Sequence, residues 1–244
     1  TNSNTIVLPN SQYNILRTVI YGFDVVVQNL CYIVSPGYVE LSHVRLIHQS
    51  ENANENSEIS LETRFASLVN VEIHGLLKLN VLGIIDSEDN YSESQCTVNS
   101  VRYYIKDSQE NSLKRNIFKI ANFNNVIINS FVIPKNYPNS TFLHIMRSTN
   151  VSITNYQNTN IASSKSGSEI FCESISELSI SDVSIISSIE NNNYYFLSAT
   201  KFKEGANISI NDCNFVNVGL FDLLDESFGD VRISDCNIVS NKPI

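Results

Sequence analysis

The stretch NISINDCNFVNV, from Asn207 to Val218, returns as DVRISDCNIVS, from Asp230 to Ser240. In both, two aliphatic residues flank one polar residue; an Asn/Ser–Asp pair, Cys–Asn and another large apolar residue follow. A line written twice at a short interval constrains the fold more than any local propensity, because stacked repeats must match their neighbours. Looser copies begin at Asn125 (NVIINSFVI), Asn150 (NVSITNYQN) and Glu177 (ELSISDVSI). Looser still are NVEIHGLLK from Asn70, YVELSHVRL from Tyr38 and DVVVQNLCY from Asp24. The aliphatic positions Val126, Val151, Leu178, Ile208 and Val231 are spaced by 25, 27, 30 and 23 residues.

The period-2 alternation in each line reads as a strand with one buried face. Val151, Ile153, Leu178, Ile180, Ile208, Ile210, Val231 and Ile233 are expected to point inward, and Ser152, Ser179, Ser209 and Arg232 outward. Asn155, Asp182, Asp212 and Asp235 then occupy a bend, where short polar side chains bond the turn backbone. Tyr156, Val183, Cys213 and Cys236 turn inward again. A second apolar run before each line carries Phe118, Phe142, Phe171, Phe196 or Phe221, with Phe65 as an earlier candidate. Units of this length with several short strands and no 3.6-residue periodicity predict an all-β, right-handed, single-stranded parallel β-helix of about seven or eight coils. Residues 1–64 read as irregular β-rich coils or a cap, and residues 65–244 as the repeats, part of a longer or stacked solenoid.

The composition agrees. There are 33 Asn and 34 Ser among 244 residues, against only 17% charged, and Asn and Ser favour turns over helix interiors. A net charge of −9 with no basic stripe argues against tracking a nucleic-acid backbone. No apolar run approaches the 18 or so residues that span a bilayer. The chain starts at Thr1, which reads as a mature or excised piece, and it stops at NKPI, leaving the last coil to a continuation or another subunit.

The repeated line resembles repeats of the polymorphic outer-membrane-protein type, within the pectin-lyase-like right-handed β-helix group. In those repeats a G-G-A-I segment precedes a strand, a polar bend and F-x-x-N. GSEIFC (Gly167 to Cys172) and IVSN (Ile238 to Asn241) are degenerate forms of the two halves, and the resemblance runs from about Asn70 to the C-terminus. It implies a secreted or cell-surface location and a role in adhesion or surface architecture, and it carries over no catalytic residue.

Candidate sites are few. Stacked carboxylates can divide acid and base roles, so the column Asp182, Asp212, Asp235 is the one catalytic candidate; Asn155 in the same column favours an ordinary turn. Four glycosylation sequons stand at Asn90, Asn139, Asn150 and Asn207, the last two at the same position of the line and so on one edge of the solenoid. Cys213 and Cys236 fall in register about 4.8 Å apart, which permits a disulfide. The histidines and cysteines show no metal-ligand spacing, and no cofactor is expected.

The function expected is a non-enzymatic extracellular module that builds a surface layer or fibre, or acts as an adhesin, the expected partners being its own copies and glycans. The alternatives are a polysaccharide lyase or glycoside hydrolase using the aspartate column, and a carbohydrate- or host-binding module using Tyr194 and Tyr195.

Overall fold

The computed structural model describes residues 5–8, 11–14, 16–48, 57–75, 77–85, 93–104, 118–132, 142–161, 166–187, 193–223 and 228–240. Every strand pairing is parallel, and pairs join strands one coil apart along the chain. The described chain therefore winds as an all-β parallel solenoid with three faces per coil. Long strands bend round the corners without breaking. Ser57–His74 pairs with Leu77–Gly83 on the first face, and with two stretches of Gln95–Tyr104 on the second and third.

The second face carries the repeated line. Thr18, Val39, Ala66, Cys96, Val126, Val151, Leu178, Ile208 and Val231 stand in one unbroken column of partners. Ile20, Leu41, Leu68, Val98, Ile128, Ile153, Ile180, Ile210 and Ile233 form the next inward column. From Val39 to Ile210 these residues are at most 3% exposed. Each fully buried aliphatic contributes about 1.5–3 kcal/mol, so the columns make a continuous core along the axis.

This face stacks nine segments, as the nine residues of either column show, where the line alone suggests seven or eight coils. The reason lies in two misaligned copies and three segments that sequence similarity conceals. The Asn70 and Asp24 copies belong to the third face: Val71 pairs with Val101, and Val25 with Leu46. The second-face segments missed, residues 17–21, 65–69 and 95–99, carry Thr18, Ala66 and Cys96 at the first inward position in place of a large aliphatic, and are hidden.

The bend after the line is the most regular element of the molecule. Gly22, His43, Asn70, Ser100, Ser130, Asn155, Asp182, Asp212 and Asp235 follow the second-face strands one after another, and all have φ between 50° and 70°. That left-handed conformation costs an ordinary residue energy and is tolerated best by Gly, Asn and Asp. Layer-to-layer amide contacts add to it. Asn155 Nδ2 donates to Asn129 Oδ1 at 2.7 Å, and Asn237 Nδ2 to Asn214 Oδ1 at 2.8 Å. The abundance of Asn thus follows from the geometry of stacked turns.

The aromatic run does not form one ladder. Phe118 registers with Leu143, Phe171 registers with His144 on the outer side, and Phe221 registers with Leu197. Phe65 lies on the second face, 41% exposed. The aromatics instead converge inside the middle coils. Phe131 packs against Phe142, Phe118 and Tyr156 with ring centroids 4.9, 5.7 and 5.9 Å away.

Candidate functional site

Asp182, Asp212 and Asp235 are exposed and lie in the left-handed corner column, with φ of 53°, 52° and 52°. Asn155 has the same φ of 52°, so the backbone at this corner asks for an Asx residue whether or not it carries charge. Asn211 Nδ2 donates to Asp212 Oδ2 at 2.5 Å, and the Asp212 amide donates to Ser234 O at 3.3 Å. Arg232, the base nearest in register, pairs with Asp230 at 3.3 Å. The aspartates are thus in successive layers, at exposed corner positions that share one backbone conformation.

The concave feature is elsewhere. The outer side of the second face forms a groove of about 710 Å³ lined by Gln95, Asn125, Asn150, Glu177, Asn207 and Asp230, and by Ile127, Ser152, Ser179, Ser209 and Arg232. The first group is a register column: Asn125 pairs with Gln95 and Asn150, Glu177 with Asn150 and Asn207. Six layers at about 4.8 Å make the groove roughly 24 Å long, and its size is that of an ordinary ligand site. Asn150 Nδ2 donates to Asn125 Oδ1 at 2.9 Å, and Asn207 Oδ1 accepts the Asp230 amide at 3.4 Å. Sequence reasoning missed this groove because it is formed jointly by outward residues of six coils. The alternation of the line marks those residues only as outward.

The sequons Asn150 and Asn207 are both exposed and flank Glu177 in that column, two layers apart on one face. A sugar on either would rise from the groove itself. Asn90 and Asn139 lie outside the described residues. Tyr194 is 2% exposed and belongs to the core, whereas Tyr195 is half-buried.

All five cysteines are thiols in this structure. Cys213 Sγ donates to Asn211 O at 3.0 Å, and Cys236 Sγ donates to Ser234 O at 3.0 Å. Burial pushes the Cys31 and Cys213 thiols up to about 11 and Cys172 to about 12, and raises Cys96 further still. The thiolate is the reactive form. Labelling of the native protein with an alkylating reagent near pH 8 is therefore expected to modify half-buried Cys236 first, the other four reacting only after denaturation. Peptide mapping checks this, and a disulfide between Cys213 and Cys236 would show as the loss of both from the unfolded labelling pattern.

Two histidines are held neutral. Burial lowers the pKa of His48. Burial and then the charge of Lys119, its register partner, lower that of His144, against the opposing pull of Glu173 3.8 Å away. Below the ordinary value of 6.5 the unfolded chain takes up protons that the folded chain refuses, so stability falls as pH drops through that region. Urea midpoints between pH 7.5 and 5.5 are expected to decline, and less so in His144→Gln. No group of three or more His, Cys, Asp or Glu residues placed to hold a metal occurs among the described residues, and none of their helices is long and apolar enough to cross a membrane.

Against family models, curated proteins and solved structures, nothing matches this chain.

Proposed function

We propose that this chain is a non-enzymatic structural or adhesive module of an extracellular or cell-surface layer, N-glycosylated at Asn150 and Asn207. The observation that carries the reading is the corner column. Its aspartates stand where Gly, Asn and Ser stand in other layers, with the same left-handed backbone, and this supports a turn role over a catalytic one. Outward Asn and Ser side chains bond from one layer to the next at several places, as Asn150 does to Asn125 and Asn237 to Asn214, as in a rod whose repetition is itself the purpose. The resemblance of the repeats to the polymorphic outer-membrane-protein type supports the surface location. Mass spectrometry of native material before and after glycosidase treatment tests it, with sugar expected on both asparagines. Unmodified asparagines in a protein recovered from inside the cell would overturn the reading. Turnover of pectin, alginate or a glycosaminoglycan, abolished by Asp212→Asn, would replace it with the enzyme reading.

A second reading is favoured by the groove: a carbohydrate-binding module that lays an extended, neutral glycan along the Asn/Ser columns. The two readings compete for the same surface, because sugars on Asn150 and Asn207 would fill the groove. Binding of oligosaccharides to unglycosylated protein, lost in Glu177→Ala, would favour the second.

A further inference from the structure

The outward positions of the second face change character along the solenoid. One outward column runs Arg17, Tyr38, Phe65, Gln95, and the next runs Val19, Glu40, Ser67, Thr97. From Gln95 onward the first column is the polar lining of the groove; before it stand two aromatic residues. Phe65 is 41% exposed. The strands that carry Tyr38, Phe65 and Gln95 each have second-face partners on both sides. The ring is therefore open on the outer side of a complete sheet, away from either end of the described solenoid.

Polar groups around that ring are already held in place. Tyr38 Oη donates to Glu40 Oε2 at 2.9 Å and accepts from the Ser67 hydroxyl. Burial, and then the bond to Glu40, hold the Tyr38 hydroxyl above its ordinary pKa, so it remains a donor and fixes the carboxylate. Gln95 Nε2 donates to Thr97 Oγ1 at 3.0 Å, which fixes the amide on the other side. The Arg17 guanidinium carbon lies over the Tyr38 ring, 5.4 Å from its centroid. Tyr38 thus has its cation, and the aromatic surface left open is that of Phe65.

We infer that Phe65 is a sugar-stacking platform, which takes one pyranose residue of a neutral glycan on its ring while Glu40 and Gln95 bond the hydroxyls. A pyranose has an apolar C–H face and a rim of hydroxyls. The C–H face suits the electron-rich face of an aromatic ring. The rim suits a carboxylate and an amide fixed in advance, because an ionised carboxylate keeps acceptor sites beyond the one that Tyr38 uses. A lone exposed ring needs no explanation; a ring between pre-positioned polar groups is how small-ligand sites are built. Charge decides among sugars. The net charge of −9 and the nearby Glu40 disfavour uronate-rich glycans. Phe65 is three layers from Asn150 along the same column, about 14 Å, so a sugar on Asn150 leaves the platform free.

This inference rests on the adhesive part of the proposed function and names its ligand. The probes are cellotriose, mannotriose and N-acetylchitotriose, with trigalacturonate as the charged comparison, titrated into unglycosylated protein by calorimetry. At least one neutral trisaccharide is expected to bind, and trigalacturonate to bind more weakly. Phe65→Ala is expected to weaken binding about tenfold or more, and Glu40→Gln about threefold. Glu177→Ala, four layers away, is expected to leave it unchanged. The chain has no tryptophan, so Phe65→Trp keeps the platform and supplies a single fluorescent reporter that should respond to the same sugar. An unchanged urea midpoint in Phe65→Ala separates lost binding from lost folding. No binding of any neutral probe, or equal affinity in Phe65→Ala, would overturn the platform. Loss in Glu177→Ala with Phe65→Ala indifferent would overturn it in favour of the groove, and tighter binding of trigalacturonate would overturn the neutral class. None of these results bears on glycan occupancy or cell-surface location, so the two proposals fail separately.

Discussion

Phe131→Ala is expected to cost about 3–5 kcal/mol of folding stability, the range for removing a large aromatic from a packed core. Phe131 is fully buried and contacts Phe142, Phe118, Tyr156 and Tyr103, with centroids from 4.9 to 6.1 Å. These rings come from different coils, and each favourable pair adds about 0.5–1.5 kcal/mol beyond area burial. The site is near the middle of the solenoid, where neither side can collapse inward without losing register. Phe65→Ala is the control: its ring is 41% exposed, and a change of within about 0.5 kcal/mol is expected, as for surface substitutions generally. Equilibrium urea unfolding of both variants decides the matter. A cost below about 1 kcal/mol for Phe131→Ala would mean that the aromatic cluster is not packed as described.

Glu169→Ala is expected to have an effect of comparable size for a different reason. Glu169 is 0% exposed. Tyr156 Oη donates to its Oε2 at 2.7 Å, and Asn158 Nδ2 donates to Oε1 at 2.6 Å. Burial, and then the neighbouring carboxylate, hold the Tyr156 hydroxyl well above its ordinary pKa, so it stays protonated and donates. Truncation strands two buried donors, and each costs about 1–3 kcal/mol when left unmade. Tyr156→Phe removes one donor and is expected to cost about half as much. Because these groups share one network, the double variant is expected to lose less than the sum of the singles. Additive losses would show that the carboxylate and the hydroxyl act independently.

Much of the second face can be read directly from the chain. Ile153, Ile180 and Ile210 are buried where alternation puts them, and Tyr156, Val183 and Cys213 turn inward after the bend as expected. Alternation works there because one side of each strand is core, and a shift of one residue would expose the whole set. The coil at residues 95–101 was not legible, because its first inward position holds Cys96 where the readable lines hold a large aliphatic, although Val98 and Val101 are spaced as expected. Glu169 was not legible either. A glutamate beside small polar residues reads as solvent-facing, and only the meeting of two coils supplies Tyr156 and Asn158 inside the core. The groove is illegible for a related reason, since a feature shared by six layers leaves no mark on any single one.

The left-handed corner also governs how this chain can change in length. From the second inward residue of the second face to the first of the third, the count is three at every layer: Leu41 to Val44, Leu68 to Val71, Val98 to Val101, Ile128 to Phe131, and so on to Ile233 and Cys236. The full circuit, by contrast, runs from 21 residues between Thr18 and Val39 to 30 between Leu178 and Ile208. One corner is a fixed ruler and the remainder of the loop is slack. A single residue inserted at the ruler would turn the next strand inside out, exchanging its core and solvent sides. The same residue added to the slack costs only a little loop entropy. Variation in length is channelled away from one edge of the solenoid, which can therefore stay straight while the opposite surface diversifies.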